Sequence, residues 1–301
     1  MDKMLRDKKV IILFIAPVLL VFSCFIPFPL ISSFLLSFCK WDMLGNIKFI
    51  GFDNFVTMFT VDDIFIKSIG NTVQYLLYSV IMQIPLAIFF AILLTRGRRF
   101  EKFFSNVLFM PIALSGTAVA LMFYFIYHPT GVVNSLLNVI GLSSLTRPWL
   151  ADEKTAMIAI CVRVAWQYIG YHMVIYITGI TNISDDLIEA AKIDGAGIWQ
   201  TTFRIILPLL KPVAMVSMIL ISTSSLKSFD SIFVMTKGGP MNATEVLASH
   251  MYNKAFLQLN YGYGSAIGTI LFLLCVTVTF TLTWLFNDKG TAKFKINRRM
   301  K

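Results

Sequence analysis

An all-α integral membrane protein of six transmembrane helices is the fold class this sequence predicts, and three observations carry it. Hydrophobic residues fill 57% of the 301 positions while charged residues fill 14%, against about half and a quarter in soluble domains. The apolar runs reach about 20 residues or more, enough for a helix to cross a ~30 Å hydrocarbon core, whereas barrel strands alternate over about 10. Basic residues also alternate in density from one inter-span loop to the next, as membrane-crossing segments require.

The spans are read in order as residues 10–39, 68–95, 107–128, 155–180, 213–236 and 263–287. The first follows Lys8-Lys9, but its apolar stretch is too long for the core of a secretion signal and no small-x-small cleavage site follows it. Pro85 and Pro111 interrupt the backbone ladders of the second and third spans and predict kinks or locally shaped packing. The loop at 40–67 contains Gly45-Asn46 and Gly51-Phe52-Asp53-Asn54, which predicts a short interfacial piece. Gly131, Gly141 and Pro148 make the 129–154 loop turn-rich, and Lys237-Gly238-Gly239-Pro240 punctuates the end of the fifth span. No loop is long enough for a separate globular domain. The organisation is one membrane domain at 10–287, with a short segment at 1–9 and a basic tail at 288–301.

Lys and Arg number 4, 4, 3 and 6 in the N-terminal segment, the 96–106 loop, the 181–211 loop and the tail, against 3, 2 and 2 in the intervening loops. The positive-inside rule places both termini and the 181–211 loop in the cytoplasm. The net charge of +10 is thereby a topology signal that requires no nucleic acid, with some attraction of the tail to anionic lipid. Cys24, Cys39, Cys161 and Cys275 fall in or beside spans without paired spacing and read as packing residues rather than disulfides or metal ligands. His128, His172 and His250 have no partners at metal-ligand spacing, and no catalytic constellation is visible. The sequence holds no Gly-x-x-x-x-Gly-Lys-Ser/Thr phosphate cradle, so hydrolysis of ATP by this chain alone is not expected.

The most informative stretch is cytoplasmic. Ser184-Asp185-Asp186 can cap a helix that starts there and place negative charge at its positive end. Ala190 and Ala191 leave the helix surface low enough for close approach by another protein. Gly195 supplies the backbone for a reversal, and a second helix over 198–206 ends at Leu207-Pro208. Two readings fit these residues: an amphipathic helix lying on the membrane, or a bent, exposed knuckle that docks on a partner.

Glu189, Ala190, Ala191, Gly195 and Pro208 together resemble the EAA loop of binding-protein-dependent ABC permeases. Asp194-Gly195-Ala196, Leu207 to Pro212, Trp166, Gly170, Gly179, Phe229-Asp230 and Thr236 to Pro240 resemble the carbohydrate branch, similar to maltose and glycerol-phosphate permeases. The resemblance covers about 68–286. It implies a type I (MetI-like) importer permease fold in a bacterial-type plasma membrane, with a coupling loop at about 184–212. It also implies partners: a second related permease, two ATPase subunits that hold ATP and Mg, an extracytoplasmic solute-binding protein, membrane lipid and a sugar substrate. Glu189, Ala190, Ala191, Asp194, Gly195 and Pro208 would then be the coupling residues. A secondary transporter or a non-transporting membrane scaffold are the alternatives of another class.

Polar residues inside spans mark a candidate pathway, since ionisable groups at membrane depth cost about 2.5–3.5 kcal/mol on insertion scales. Arg163, Lys227 and Asp230 fall in the outer half. Lys227 and Asp230, three apart, would pair on one helical face while Arg163 snorkels, or Arg163 and Asp230 would meet across a cavity. Asn71, Gln74, Gln83, Trp166, Gln167, Tyr168, Ser222, Thr223, Ser224 and Ser225 either bind sugar hydroxyls and ring faces or hydrogen-bond helices to one another.

Overall fold

The computed structural model describes residues 8–96 and 101–286. The 1–7 segment, Arg98 and Arg99, the Asn287 end of the sixth span and the 288–301 tail lie outside the described residues. The chain divides into two units. One comprises residues 8–66 with 250–272, and the other 67–249 with 273–286.

In the first unit, α1 (Lys8–Phe25) and α2 (Pro27–Leu36) carry the first apolar span, with a break at Ile26 that the sequence reading did not place. The side chains described along it are largely exposed, as lipid contact requires. The expected interfacial piece is present. Cys39–Lys40 (β1) pairs antiparallel with Lys48–Phe49 (β2), and α3 (Asp53–Thr60) follows. The buried Asn54 donates from Nδ2 to the carbonyls of Ser37 and Cys39, at 2.8 and 3.0 Å, and so ties α3 to the end of α2. Asp62 ends this piece in a half-buried ionic knot. Its Oδ2 accepts from the Tyr263 hydroxyl at 2.7 Å, with His250 Nε2 at 3.0 Å and Lys254 Nζ at 3.5 Å. Burial pushes the carboxyl up, but the Tyr263 and His250 hydrogen bonds and the Phe65 amide together hold it at about 2. Burial keeps His250 below its ordinary value.

The second unit holds the polar machinery. The second span is α4 (Asp63–Arg96), which begins in the first unit and runs through Pro85 without interruption. The third is not one rod. α5 (Glu101–Phe109) and a 3-10 turn at Met110–Ala113 meet α6 (Gly116–Ile126) at 98°. Pro111 lacks an N–H and disfavours helical geometry before it, which explains the stop. α7 (Val132–Val139) covers part of the next loop, and α8 (Glu153–Thr181) is the fourth span.

The fifth span also departs from expectation. α12 (Lys211–Leu226) ends early, and α13 (Asp230–Met235) begins after a three-residue break. Thr223 Oγ1 bonds back to the Ile219 carbonyl at 2.8 Å and Ser224 Oγ to Ile221 at 3.0 Å. Such back-bonding competes with the helix ladder and favours its end. Lys227 and Asp230 therefore do not share one helical face. α14 (Leu247–Tyr252) leads into a π-turn at Asn253–Leu257, and α15 (Tyr261–Phe286) is the sixth span.

Candidate functional site: a polar cavity and an exposed knuckle

The knuckle forms at α9 (Asp185–Ile193), α10 (Ile198–Thr201), a π-turn at Thr202–Ile206 and α11 (Leu207–Leu209), which meets α12 at 63°. Ser184 occupies the N-cap position of α9, but its side chain makes no capping hydrogen bond; Asp185 and Asp186 alone complement the helix end. Gly195 has φ +78°, the left-handed value that a side chain resists. Around it Ala196 N–H donates to Ala191 O at 2.9 Å and Gly195 N–H to Lys192 O at 3.0 Å, the pair of bonds that closes a Schellman helix end.

Glu189, Ala190, Asp194, Gly195 and Pro208 are exposed, whereas Ala191 is buried. Only one of the two alanines therefore offers a low outer surface. The sequence reading missed the apolar face beside them. Ile193 is 85% exposed, Ile198 66% and Trp199 72%, and Trp199 stacks on Phe203 with ring centroids 6.1 Å apart. Exposed apolar patches rimmed by polar groups mark contact surfaces. On the other side, Ile206 and Leu210 are buried among Ala87, Ala91 and Leu94 of α4 and Ile169, Met173, Tyr176 and Ile180 of α8. The knuckle is thus packed onto two spans while its apex is bare.

A cavity of about 410 Å³ lies within the same unit, in the range of small-molecule sites. Tyr168, Ser224, Ser225, Lys227 and Asp230 line it, as does Gln83. Tyr75, Ser228 and Ser231 also line it and were not singled out from sequence. Ser228 Oγ donates to the Tyr75 hydroxyl at 2.9 Å, an aromatic beside a hydroxyl pair. His172, another wall residue, has Nδ1 2.8 Å from Ser217 Oγ. Among the described residues no ion pair joins Lys227 to Asp230; both side chains are exposed.

Asn71, Gln74, Trp166 and Gln167 are not among the lining residues. Gln74 bonds the Tyr78 hydroxyl at 3.0 Å on its own helix, and Trp166 packs against Phe123. Arg163 does line the cavity, together with Asp230, but its hydrogen bonds, like that of Gln167, serve a different task. Arg163 is buried and does not snorkel: Nη1 donates to Ser231 Oγ at 2.7 Å and Nη2 to the Gly116 carbonyl. Gln167 Nε2 donates to the Leu114 carbonyl at 3.0 Å. Two of these three acceptors, Leu114 and Gly116, are carbonyls at the bend of the third span. Irregular backbone at membrane depth survives only when protein or water satisfies it. Gly170 completes this i, i+4, i+7 stripe, where a Cβ would collide with the Leu108 carbonyl. One face of α8 therefore cradles the broken span. The spacing was readable in sequence, but its partner was not, because the third span looked continuous.

Residues 83–289 match the family described as binding-protein-dependent transport system inner membrane component. The chain belongs to that family. The permease is 37% identical over 281 residues to the probable ABC transporter permease protein YurN of Bacillus subtilis strain 168, covering 92% of this chain and 96% of that one. It is 30% identical to the lactose transport system permease protein LacF of Rhizobium radiobacter, over 89% of this chain and 91% of the relative. The fold matches a chain in the crystal structure of a bacterial ABC transporter involved in the import of alginate, an acidic polysaccharide. The TM-score is 0.82 and the identity 23%, covering 96% and 98% of the two chains. The all-α importer permease fold read from the coupling loop is present, and the permease is a multi-pass membrane protein.

Proposed function

We propose that the permease forms half of the pathway by which an ATP-driven importer brings a sugar or oligosaccharide into the cell. It would pair with a second related permease, two ATPase subunits and an extracytoplasmic solute-binding protein, with both termini in the cytoplasm. ATP and Mg would be held by the ATPase subunits. The knuckle is the observation that carries this reading, because a rigid, bare apex buttressed on α4 and α8 can transmit motion only if something grips it. Glu189, Asp194 and the Ile193–Trp199 face would meet the ATPase subunit, Gly195 would set the bend, and Ile206 and Leu210 would carry displacement into the spans.

The sugar class follows from the cavity and the relatives. Tyr75, Tyr168, Ser224, Ser225 and Ser228 supply aromatic faces and hydroxyls, which suit carbohydrate rings and their OH groups, and a relative is a lactose permease. Arg163 and Lys227 bring two positive charges to the wall and Asp230 one negative. The test is uptake by proteoliposomes holding the full transporter, with a panel of labelled mono- and oligosaccharides. ATP and the binding protein should both be required. Uptake driven by an ion gradient without ATP would favour the secondary transporter instead.

A further inference from the structure

The wall of the polar cavity carries more positive charge than its own groups answer. Arg163 and Lys227 stand there against Asp230, the one carboxylate among the lining residues. Arg163 is already committed. It is 2% exposed, its Nη1 donates to Ser231 Oγ at 2.7 Å and its Nη2 to the Gly116 carbonyl, and Asp230 is the carboxylate whose charge acts on it. Nothing does the same for Lys227. Its side chain is exposed, and among the described residues no carboxylate lies within ion-pair distance of its ammonium.

Lys227 closes the C-terminal end of α12, where the chain breaks before α13. The carbonyls of a helix end offer a cation the equivalent of about half an elementary charge. An ammonium there still lacks a full counter-charge, and at membrane depth it must face water or a partner. The neighbouring hydroxyls are acceptors rather than rivals. Ser224 Oγ donates to the Ile221 carbonyl at 3.0 Å and Ser228 Oγ to the Tyr75 hydroxyl at 2.9 Å, so what each has left is lone pairs, which accept from sugar OH groups. Lys227 is the complementary donor, with three N–H bonds and no acceptor capacity. Hydroxyl acceptors around an unanswered ammonium fit a saccharide that carries an acidic group, whereas a neutral saccharide would leave the ammonium without its counter-charge.

We propose that the imported saccharide is anionic, bearing a carboxylate, sulfonate or phosphate, and that Lys227 takes that group at the break between α12 and α13. This rests on the sugar-importer reading given above. Lys227 is then the residue of this chain that separates acidic from neutral sugars.

The test is equilibrium binding of labelled saccharides to the purified whole transporter without its binding protein, so that the membrane cavity alone is read. Each acid is paired with a neutral counterpart: a galacturonate disaccharide with a galactose disaccharide, and galactose 6-phosphate with galactose. At least one acid should bind about tenfold more tightly than its partner, the smaller end of what a hydrogen bond to a charged group contributes. That ratio should shrink as salt is added if the cavity is open to water. Lys227→Gln should erase the ratio, and Lys227→Arg should keep most of it. If Lys227→Gln does not accumulate, the wild-type ratio decides. Equal affinity within every pair, no binding by either acid, or a ratio that survives in Lys227→Gln overturns the proposal. ATP-dependent uptake of a neutral sugar in that event leaves the importer reading standing; no ATP-dependent uptake of any saccharide counts against that reading.

Discussion

Arg163 and Gln167 show how a polar residue at membrane depth is employed here. Gln167 donates to the Leu114 carbonyl, freed where the third span bends, while Arg163 bonds the Gly116 carbonyl and Ser231 Oγ; removing Gln167 strands the Leu114 carbonyl. A stranded buried acceptor costs about 1–3 kcal/mol, whereas ordinary polar contacts between membrane helices average about 0.6 kcal/mol. Gln167→Leu should therefore destabilise the detergent-solubilised permease by about 1–3 kcal/mol in unfolding titrations, while Tyr168→Phe should stay within about 0.5 kcal/mol. Equal effects would mean that the bend does not depend on Gln167. Asp62 makes a second case. Its carboxyl sits at about 2 in the folded chain against an ordinary ~3.9, so its contribution is fully present above about pH 4 and fades as the pH falls towards 2. His250 is held below its ordinary value, so its contribution is fully present above ~6.5 and is lost on acidification from there. The melting temperature should fall on acidification, and Asp62→Asn should flatten the segment between about pH 4 and 2. None of this knot was legible in sequence, because Asp62, His250 and Tyr263 are separated by up to 201 positions.

The knuckle was the element most legible in advance, since its signals are local, an alanine pair and a glycine at the turn; the proline was misread, because helical structure runs through Pro208 to Leu209 before the break. The left-handed Gly195 and the start of α9 beside Ser184 follow from those residues alone. The outward apolar face was not, because Ile193, Ile198 and Trp199 look like core residues until the packing of Ile206 and Leu210 fixes which side is inside. The bends were illegible for a related reason. Apolar runs at 107–128 and 213–236 are long enough to span, and length says nothing about direction. Gly195→Ala should cost about 1–2 kcal/mol for the left-handed backbone. Gly195→Pro fixes φ near −65° and also removes the N–H that donates to Lys192. We expect Gly195→Pro to insert normally into membranes, as judged by the amount of chain recovered there, yet to lose transport. Normal uptake by that variant would mean that the bend transmits nothing.

Across the whole molecule, the knuckle and the cavity of the same unit would serve as the handle and the pathway of the proposed importer. α4 is the common member: it holds the Asn242–Glu245 loop through Asn71, contributes Tyr75 and Gln83 to the cavity, and packs on the knuckle through Ala87, Ala91 and Leu94. Motion applied at Ile206 and Leu210 therefore reaches a helix that touches all three places. This arrangement makes the grip on the knuckle the point from which everything else follows. The most direct measurement is affinity purification of the transporter through a tag on this chain, in wild-type form and as Glu189→Lys. A nucleotide-binding ATPase subunit should co-purify with the wild type and be lost from the variant, while the second permease is retained in both. An ATPase subunit equally abundant in both preparations, or absent from both, would contradict this expectation.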